Sequence, residues 1–557
     1  MYFSKLKQAE GTRQQTDRFG GYWPEDTAGA HQFYGMRNLC ADAYPYLMPR
    51  GRRTKVYGGD SPGGIHGGEK LLYVDGTTLY YNGAACGQVA AGEKQFVQMG
   101  ARVLILPDKL VFDTQNQQLK AVEAQFSTVG AVDISLCAWD GSDLGEITVS
   151  ATAPEEPADG MLWLDTSASP QRLCQYAAAS LCWVVRSDTA IRIAAAGIGA
   201  LFAAGDGISV SGCANEALNG SHILLDAAQD SIRLEGLLAE NFSQTAALTV
   251  RRSMPDLDFA VELNNRIWGC SSAAREIYAC KLGDPFNWNC FGGTAADSYA
   301  VSVGSPGAFT GAAVYQGAAL FFKEDCLHKV LGSKPANFQL TWAPIEGVRT
   351  GAHRTLKLAG GYLFYQAADG VRVYGSSGTT LLSGRWGVAP AGCAGAFSGK
   401  YYLYLPGRGL LVYDLASGLW HREDETEVAG FACCGGTLFA QLANGEIWRL
   451  AGEAVAGQEE GSISWQAESG AFPAALSGGS YVSGLTLRVL LEAGSTLAVD
   501  LCYDDSGAYT QVYAIAGGGK KTYRLPILPR LAETVRIRLR GQGDMRVYGL
   551  TRRVREV

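Results

Sequence analysis

Carboxylates set in turns are the residues of this sequence best placed to do chemistry. Glu324 and Asp325, Asp369, and Asp414 each lie in or beside a turn between apolar strands. Paired acids facing one sugar are what glycoside hydrolysis requires. Asp and Glu are also ordinary solvated turn formers. A recurring Ser-x-Asp-x-Gly-x-x-Trp turn, which marks one class of glycosidases, is missing. These acids therefore read as turn residues, and the acidic run 423–427 as a charged loop.

Cys270, Cys280 and Cys290 are spaced ten apart, a tempting ligand ladder. The 14 cysteines include no C-x-x-C pair, and Cys433 and Cys434 are adjacent, a poor geometry for a shared bridge or chelate. Even spacing in a β-meander places small buried thiols on equivalent strand positions instead. The six histidines (His31, His66, His222, His328, His353 and His421) form no H-x-H or H-x-x-x-H pair, so an acid–base or metal role needs convergence in space. Phosphate loops fail as well. Segment 63–70 has Glu69 where a Walker loop needs Gly, and 517–522 sets Lys521 between Lys520 and Thr522. A nucleophile elbow, a strand–turn–helix arrangement of the G-x-S-x-G kind, is not expected in a chain with so few helical segments. The expectation is a protein that is not an enzyme, with no catalytic residue, cofactor or metal.

What must position any site is a series of six similar hairpins. They pair 103–106 with 110–113, 266–270 with 276–280, 319–322 with 326–331, 362–365 with 371–374, 401–405 with 410–414, and 438–441 with 446–450. Each joins apolar or aromatic strands through a short polar, Gly or Pro turn. From the second onward they recur at roughly the 40–50-residue spacing of propeller blades. So small a sheet cannot bury its own face and must pack against its neighbours around a shared axis.

The fold class expected is all-β: a β-propeller of about six blades, an inserted small β module, and a C-terminal jelly-roll-like β-sandwich. Seventy-one glycines in 557 residues, with only 18% charged, fit a protein of tight turns. The best helical candidate, 235–240, is short. Residues 1–57 read as an extended N-terminal arm whose aromatics, separated by Gly and Pro, either cover the propeller of their own chain or dock onto a neighbouring subunit. Residues 58–127 begin the propeller, with one blade holding 71–75, 78–81, 95–98 and the first hairpin. The long gap before the second hairpin marks 128–250 as the insert. The propeller resumes over 251–455, a Gly/Glu linker covers 452–461, and 462–557 is the sandwich.

A net charge of −7 gives no global basic field. Local clusters at Arg50, Arg52 and Arg53, at Arg251 and Arg252, and at Arg552, Arg553 and Arg555 read as solvated charges or as a patch facing DNA or an acidic partner. Met1–Glu10 carries no apolar run, so no secretory signal is expected. The longest apolar stretch, 193–205, is too short to span a bilayer. Synthesis in a cytoplasm and solubility are the expectations.

Particular runs are familiar. Asn264-Asn-Arg-Ile-Trp-Gly with Glu276-Ile-Tyr-Ala-Cys-Lys-Leu-Gly-Asp-Pro-Phe-Asn-Trp resembles a signature of tailed-bacteriophage virion proteins. So do Val303-Gly-Ser-Pro-Gly-Ala-Phe-Thr-Gly, Phe321-Phe-Lys-Glu-Asp-Cys-Leu-His-Lys-Val, and Asn38-Leu with Tyr44-Pro-Tyr-Leu-Met-Pro-Arg-Gly-Arg. Such proteins are described as packaged-DNA stabilisation or tail-hub (nozzle) proteins. The resemblance covers roughly 1–125 and 254–450, and it brings no catalytic residue with it. It implies a structural part of the virion, assembled in the bacterial host: a symmetric homo-oligomeric ring at the head–tail junction or tail. Its partners would be portal, connector or tail components, with non-specific contact to packaged DNA. Trp23, Phe33, Tyr34, Tyr44, Tyr46, Arg50, Arg52 and Arg53 are the expected subunit or partner contacts. The alternative expectation is a tail-tip or surface adhesin that binds a host glycan through the insert or sandwich.

Overall fold

The computed structural model describes residues 11–383, 389–473 and 480–556. The segment read for a secretory signal, Met1–Glu10, lies outside them. Strands dominate the chain, and the helical elements among the described residues are three short 3-10 turns. The fold is all-β. The candidate helix 235–240 is absent: residue 235 ends the strand Ser231–Glu235, Gly236 lies close to Ile191, and the chain continues as irregular backbone into a bend.

Seven antiparallel sheets, each an up-and-down meander, span 62–88, 95–121, 259–302, 311–344, 357–381, 393–422 and 428–452. The second strand of each is almost wholly buried, as in Ile267–Ser271 and Ala318–Phe322. A strand covered on both faces reads as a continuous apolar run rather than an alternating one. Each cleft between neighbouring sheets holds its own apolar cluster. Leu72 and Val74 meet Val103 and Ile105 in one, and Phe364 meets Tyr401 in another. The other clefts are filled likewise. The last cluster joins Leu71 and Tyr73 of the first sheet to Phe439 and Ile447 of the seventh. The order is therefore cyclic, and the first strands of the first and last sheets pack directly together. There, Gly67 sits so close to the Cys433 carbonyl that any side chain would overlap it.

Residues 62–88 and 95–121 form two sheets, where the sequence places their strands in one blade. The turn at Gly92, with φ of 109°, breaks the meander between them. The seventh sheet is completed from far away: Thr54–Tyr57 pairs antiparallel with Ile447–Gly452, and Gln458–Glu459 adds beyond it.

The insert enters on Ala124–Ser127 and leaves on Thr249–Arg252, which pair with each other. Inside, an eight-stranded sheet encloses one core, and a smaller sheet runs from Ile147–Ser150 through Leu162–Asp165 and Arg172–Ala177 to Cys182–Arg186. At the C-terminal end two sheets share one core. One has the order Thr12–Thr16, Met545–Glu556, Ser480–Leu491, Gly519–Leu525. The other places Phe33–Arg37 beside Ser464–Ser469, Thr534–Gln542, Thr496–Tyr503 and Thr510–Ala516.

The N-terminal segment is therefore woven into its own chain. It supplies one edge strand to each C-terminal sheet and a strand to the seventh sheet of the circuit. Phe19, Phe33, Met36, Leu39 and Leu47 are buried in the C-terminal core.

Candidate functional site

Of the eight residues expected to meet a partner, three stand exposed: Tyr34, Tyr44 and Arg52. Phe33 is core, stacked on Phe19 at 5.9 Å. Trp23 donates from Nε1 to Thr27 Oγ1 at 3.1 Å, and Tyr46 lies against Tyr548 at 4.8 Å. Arg50 and Arg53 are buried in an ionic cluster. Arg50 forks onto Glu460 at 2.7 and 2.8 Å and reaches Asp424 at 3.3 Å. Arg53 meets Glu423 at 2.6 Å, Asp424 at 2.9 Å and the Thr426 hydroxyl at 2.8 Å. Burial opposes charge at Asp424, but Arg53, Thr426 and Arg50 outweigh it and hold the carboxyl down at about 2. The acidic run 423–427 is thus partly an internal lock, not wholly a solvated loop.

The runs that carried the phage resemblance are also joints. In 283–288, Asp284 accepts from the Asn287 side chain at 2.6 Å and from the Phe286 N–H at 3.0 Å. Asn287 then holds the insert, accepting from the Gly207 N–H at 2.8 Å and donating to Asp206 at 2.9 Å. Arg252 closes the contact on Asp206 at 2.5 Å. In 321–330, buried Lys323 donates to the carbonyls of Ser305 and Pro306, and His328 shares a 2.7 Å hydrogen bond with the Ser305 hydroxyl. Asn38 donates to the Ser464 carbonyl at 2.8 Å and accepts from Arg50 Nε at 2.9 Å.

Asp369 and Asp414 serve their own turns, whereas Glu324 reaches a segment 26 residues on. Asp369 takes both prongs of Arg372, Asp414 accepts the Ser417 N–H, and Glu324 accepts the Thr350 N–H. Of the cysteine ladder, Cys280 accepts the Ile267 N–H, while Cys270 and Cys290 donate to the carbonyls of Phe259 and Gly205.

Where the first strands of the seven sheets converge lies a cavity of about 660 Å³. Gly and Ala at 64, 67, 312, 394–396, 429, 430 and 432 keep its wall thin. Its ionisable lining comes from remote segments. Glu93 is bound by His353 at 3.4 Å and Arg354 at 3.1 Å, and the His353 bond holds its carboxyl below the ordinary range. His66 faces Gln98 at 3.0 Å, and burial lowers its imidazole below the ordinary range. Burial also lowers the Lys357 ammonium, which has no ion-pair partner among the described residues. The second lining carboxylate, Glu262, accepts the Asn265 N–H at 2.7 Å. Both carboxylates are already engaged by neighbouring groups. Nothing in sequence spacing joins His66, Glu93, His353 and Lys357, because only closure of the circuit does so.

No protein-family model matches the chain, and no curated protein matches it. Among solved structures it is similar to the computationally designed Ika8 protein, at 10% identity over 72% of this chain and 99% of that one, with a TM-score of 0.34. PorZ of the type-IX secretion system of Porphyromonas gingivalis is 9% identical over 83% of this chain and 70% of its own, with a TM-score of 0.26. Hsv2 of Kluyveromyces marxianus is 9% identical over 50% and 92%, with a TM-score of 0.26.

Proposed function

We propose that the chain is a structural component of a tailed-phage or prophage particle, one subunit of a ring at the head–tail junction or tail nozzle. In this reading the seven sheets are the blades of a β-propeller, and the C-terminal sheets form a jelly-roll-like sandwich. The ring contacts the portal or connector and helps retain or conduct packaged DNA. The resemblance of the joint-forming runs to virion proteins supports the setting.

The observation that carries assembly is the edge of the small insert sheet. Its last strand, Cys182–Arg186, has no further strand beside it among the described residues. Leu181 is 79% exposed, Val184 50% and Val185 52%. An apolar edge with free N–H and C=O groups is a template for another chain, and proteins that stay monomeric usually blunt such edges with charge. The occupant is a neighbouring copy, met head to tail as a closed ring requires.

Sedimentation and negative-stain imaging of the purified chain test this. Rings are expected, and the double variant V184K/V185E should yield monomers with an unchanged melting temperature. A wild-type chain that stays monomeric at high concentration would sink the proposal.

A further inference from the structure

The sheet made by Thr12–Thr16, Met545–Glu556, Ser480–Leu491 and Gly519–Leu525 has two very different faces. Leu485, Leu487, Val489, Val547 and Leu550 point into the sandwich core. The alternate positions point outward, as strand geometry demands. They are rich in cations: Arg13, Arg488, Lys520, Arg524 and Arg553, with Arg18 at the end of the first strand. The register sets Arg13 directly opposite Arg553, and like charges so paired repel.

None of these six has a carboxylate within 4.0 Å among the described residues. The other sheet of the same sandwich is the internal control. Its arginine row is neutralised, with Arg536 on Asp505 at 2.6 Å and Arg538 and Arg540 on Asp500 at 2.8 and 2.7 Å. In a chain of net charge −7, a face whose cations lack an ion pair among the described residues calls for an anionic ligand.

The face is also shaped. A bulge between Arg488 and Val489, opposite Gly549 and Val547, brings the Tyr548 ring to the outer surface. The Lys520 ammonium lies 3.8 Å from that ring's centroid, and Tyr46 packs beside it. An open groove of about 630 Å³ runs between these rings and Arg13, Arg18 and Arg488, floored by the threonines at 486, 522 and 551. Asp17 is the one carboxylate among its lining residues.

We infer that this groove binds the phosphodiester backbone of nucleic acid. Guanidinium forks and hydroxyls suit phosphate oxygens, and the half-buried aromatic rings beside them suit sugars and bases. An acidic protein would use the cations but not the tyrosine pair. The inference assigns a DNA-contacting surface within the reading above, yet its test needs no ring.

Fluorescence anisotropy of the full chain with a labelled DNA duplex and the matching single strand is the experiment. Binding should weaken steeply with salt, and R488E/K520E/R553E should flatten the log–log salt slope by about 3, one for each phosphate no longer neutralised. R251E, an exposed side chain on an interior strand of the insert, should leave the slope unchanged. A circular dichroism melt checks that the triple variant is folded. No binding of either probe at low salt, or equal binding by the triple variant, would overturn the inference. Competition by polyglutamate as effective as by unlabelled DNA would overturn it in favour of an acidic protein. A chain that binds DNA as a monomer sinks only the ring, and a ring indifferent to DNA sinks only this groove.

Discussion

Replacing Arg53 with Met should break the lock that ties the N-terminal segment, the sixth sheet and the 452–461 linker together. The guanidinium is 4% exposed and touches Glu423, Asp424 and Thr426. Desolvation opposes its charge, but the two carboxylates more than compensate and hold its pKa above the ordinary value. Methionine fills much of the volume and restores no charge, so Glu423 and Asp424 are left to Arg50 alone. Removing one partner from a buried ionic cluster costs about 3–5 kcal/mol. Acid titration gives a second, independent number. Asp424 falls from 3.8 to about 2 in the fold, a gap worth about 2 kcal/mol. A depressed carboxyl stabilises above its unfolded pKa, and that contribution is lost as pH falls from about 4 through 2. In R53M the Asp424 share of the acid-induced loss should shrink, because its folded pKa moves back toward the unfolded value and the window between them narrows. Urea melts at neutral pH and across the acid range measure both effects. A loss under about 1 kcal/mol at pH 7, with an unmoved acid profile, would refute the claim that this cluster is structural.

Other outcomes follow from the same contacts. Deleting residues 1–50 should abolish soluble folding rather than release a folded monomer, because it strips five buried side chains from the C-terminal core, each worth about 1.5–3 kcal/mol; expression and circular dichroism report it. Gly67→Ala should lower stability by about 1–3 kcal/mol, since the methyl meets the Cys433 carbonyl where first and last sheets pack; a thermal melt measures this. Burial depresses His328 and His421 to about 4, so their protonation favours the unfolded chain. Stability should fall between pH 6.5 and 4 by up to about 3 kcal/mol for each, and H421F should remove one share of that slope.

The hairpins are legible because a second strand buried on both faces leaves a continuous apolar run, as at 318–322 or 401–405. The long interval between the first two hairpins is legible because it interrupts a regular spacing, and the strands at its ends, Ala124–Ser127 and Thr249–Arg252, pair with each other. The merging of 62–88 with 95–121 has a plain cause: the first sheet's hairpin at Asp75-Gly76 looks like one half of a larger unit, and only pairing tells otherwise. The particular partners of the N-terminal segment are hidden for a related reason. Phe33 and Arg53 gain their partners from residues some 400 positions away, and no local pattern encodes that. The basic face is visible in sequence only as Arg552, Arg553 and Arg555. Its meaning comes from alternation, which turns Arg552 inward onto Gln14 at 2.6 Å and Arg553 outward.

The strand Thr54–Tyr57 sets a timetable for biosynthesis. Its partner Arg449 leaves the ribosome almost 400 residues later, which at about 5–20 residues per second is roughly 20–80 s of translation. Throughout that interval the nascent chain carries an orphan strand and an unclosed seam, both attractive to chaperones and to other nascent copies. Slowing elongation within the stretch between them should raise the misassembled fraction, whereas supplying Thr54–Tyr57 from a fused C-terminal copy should lower it.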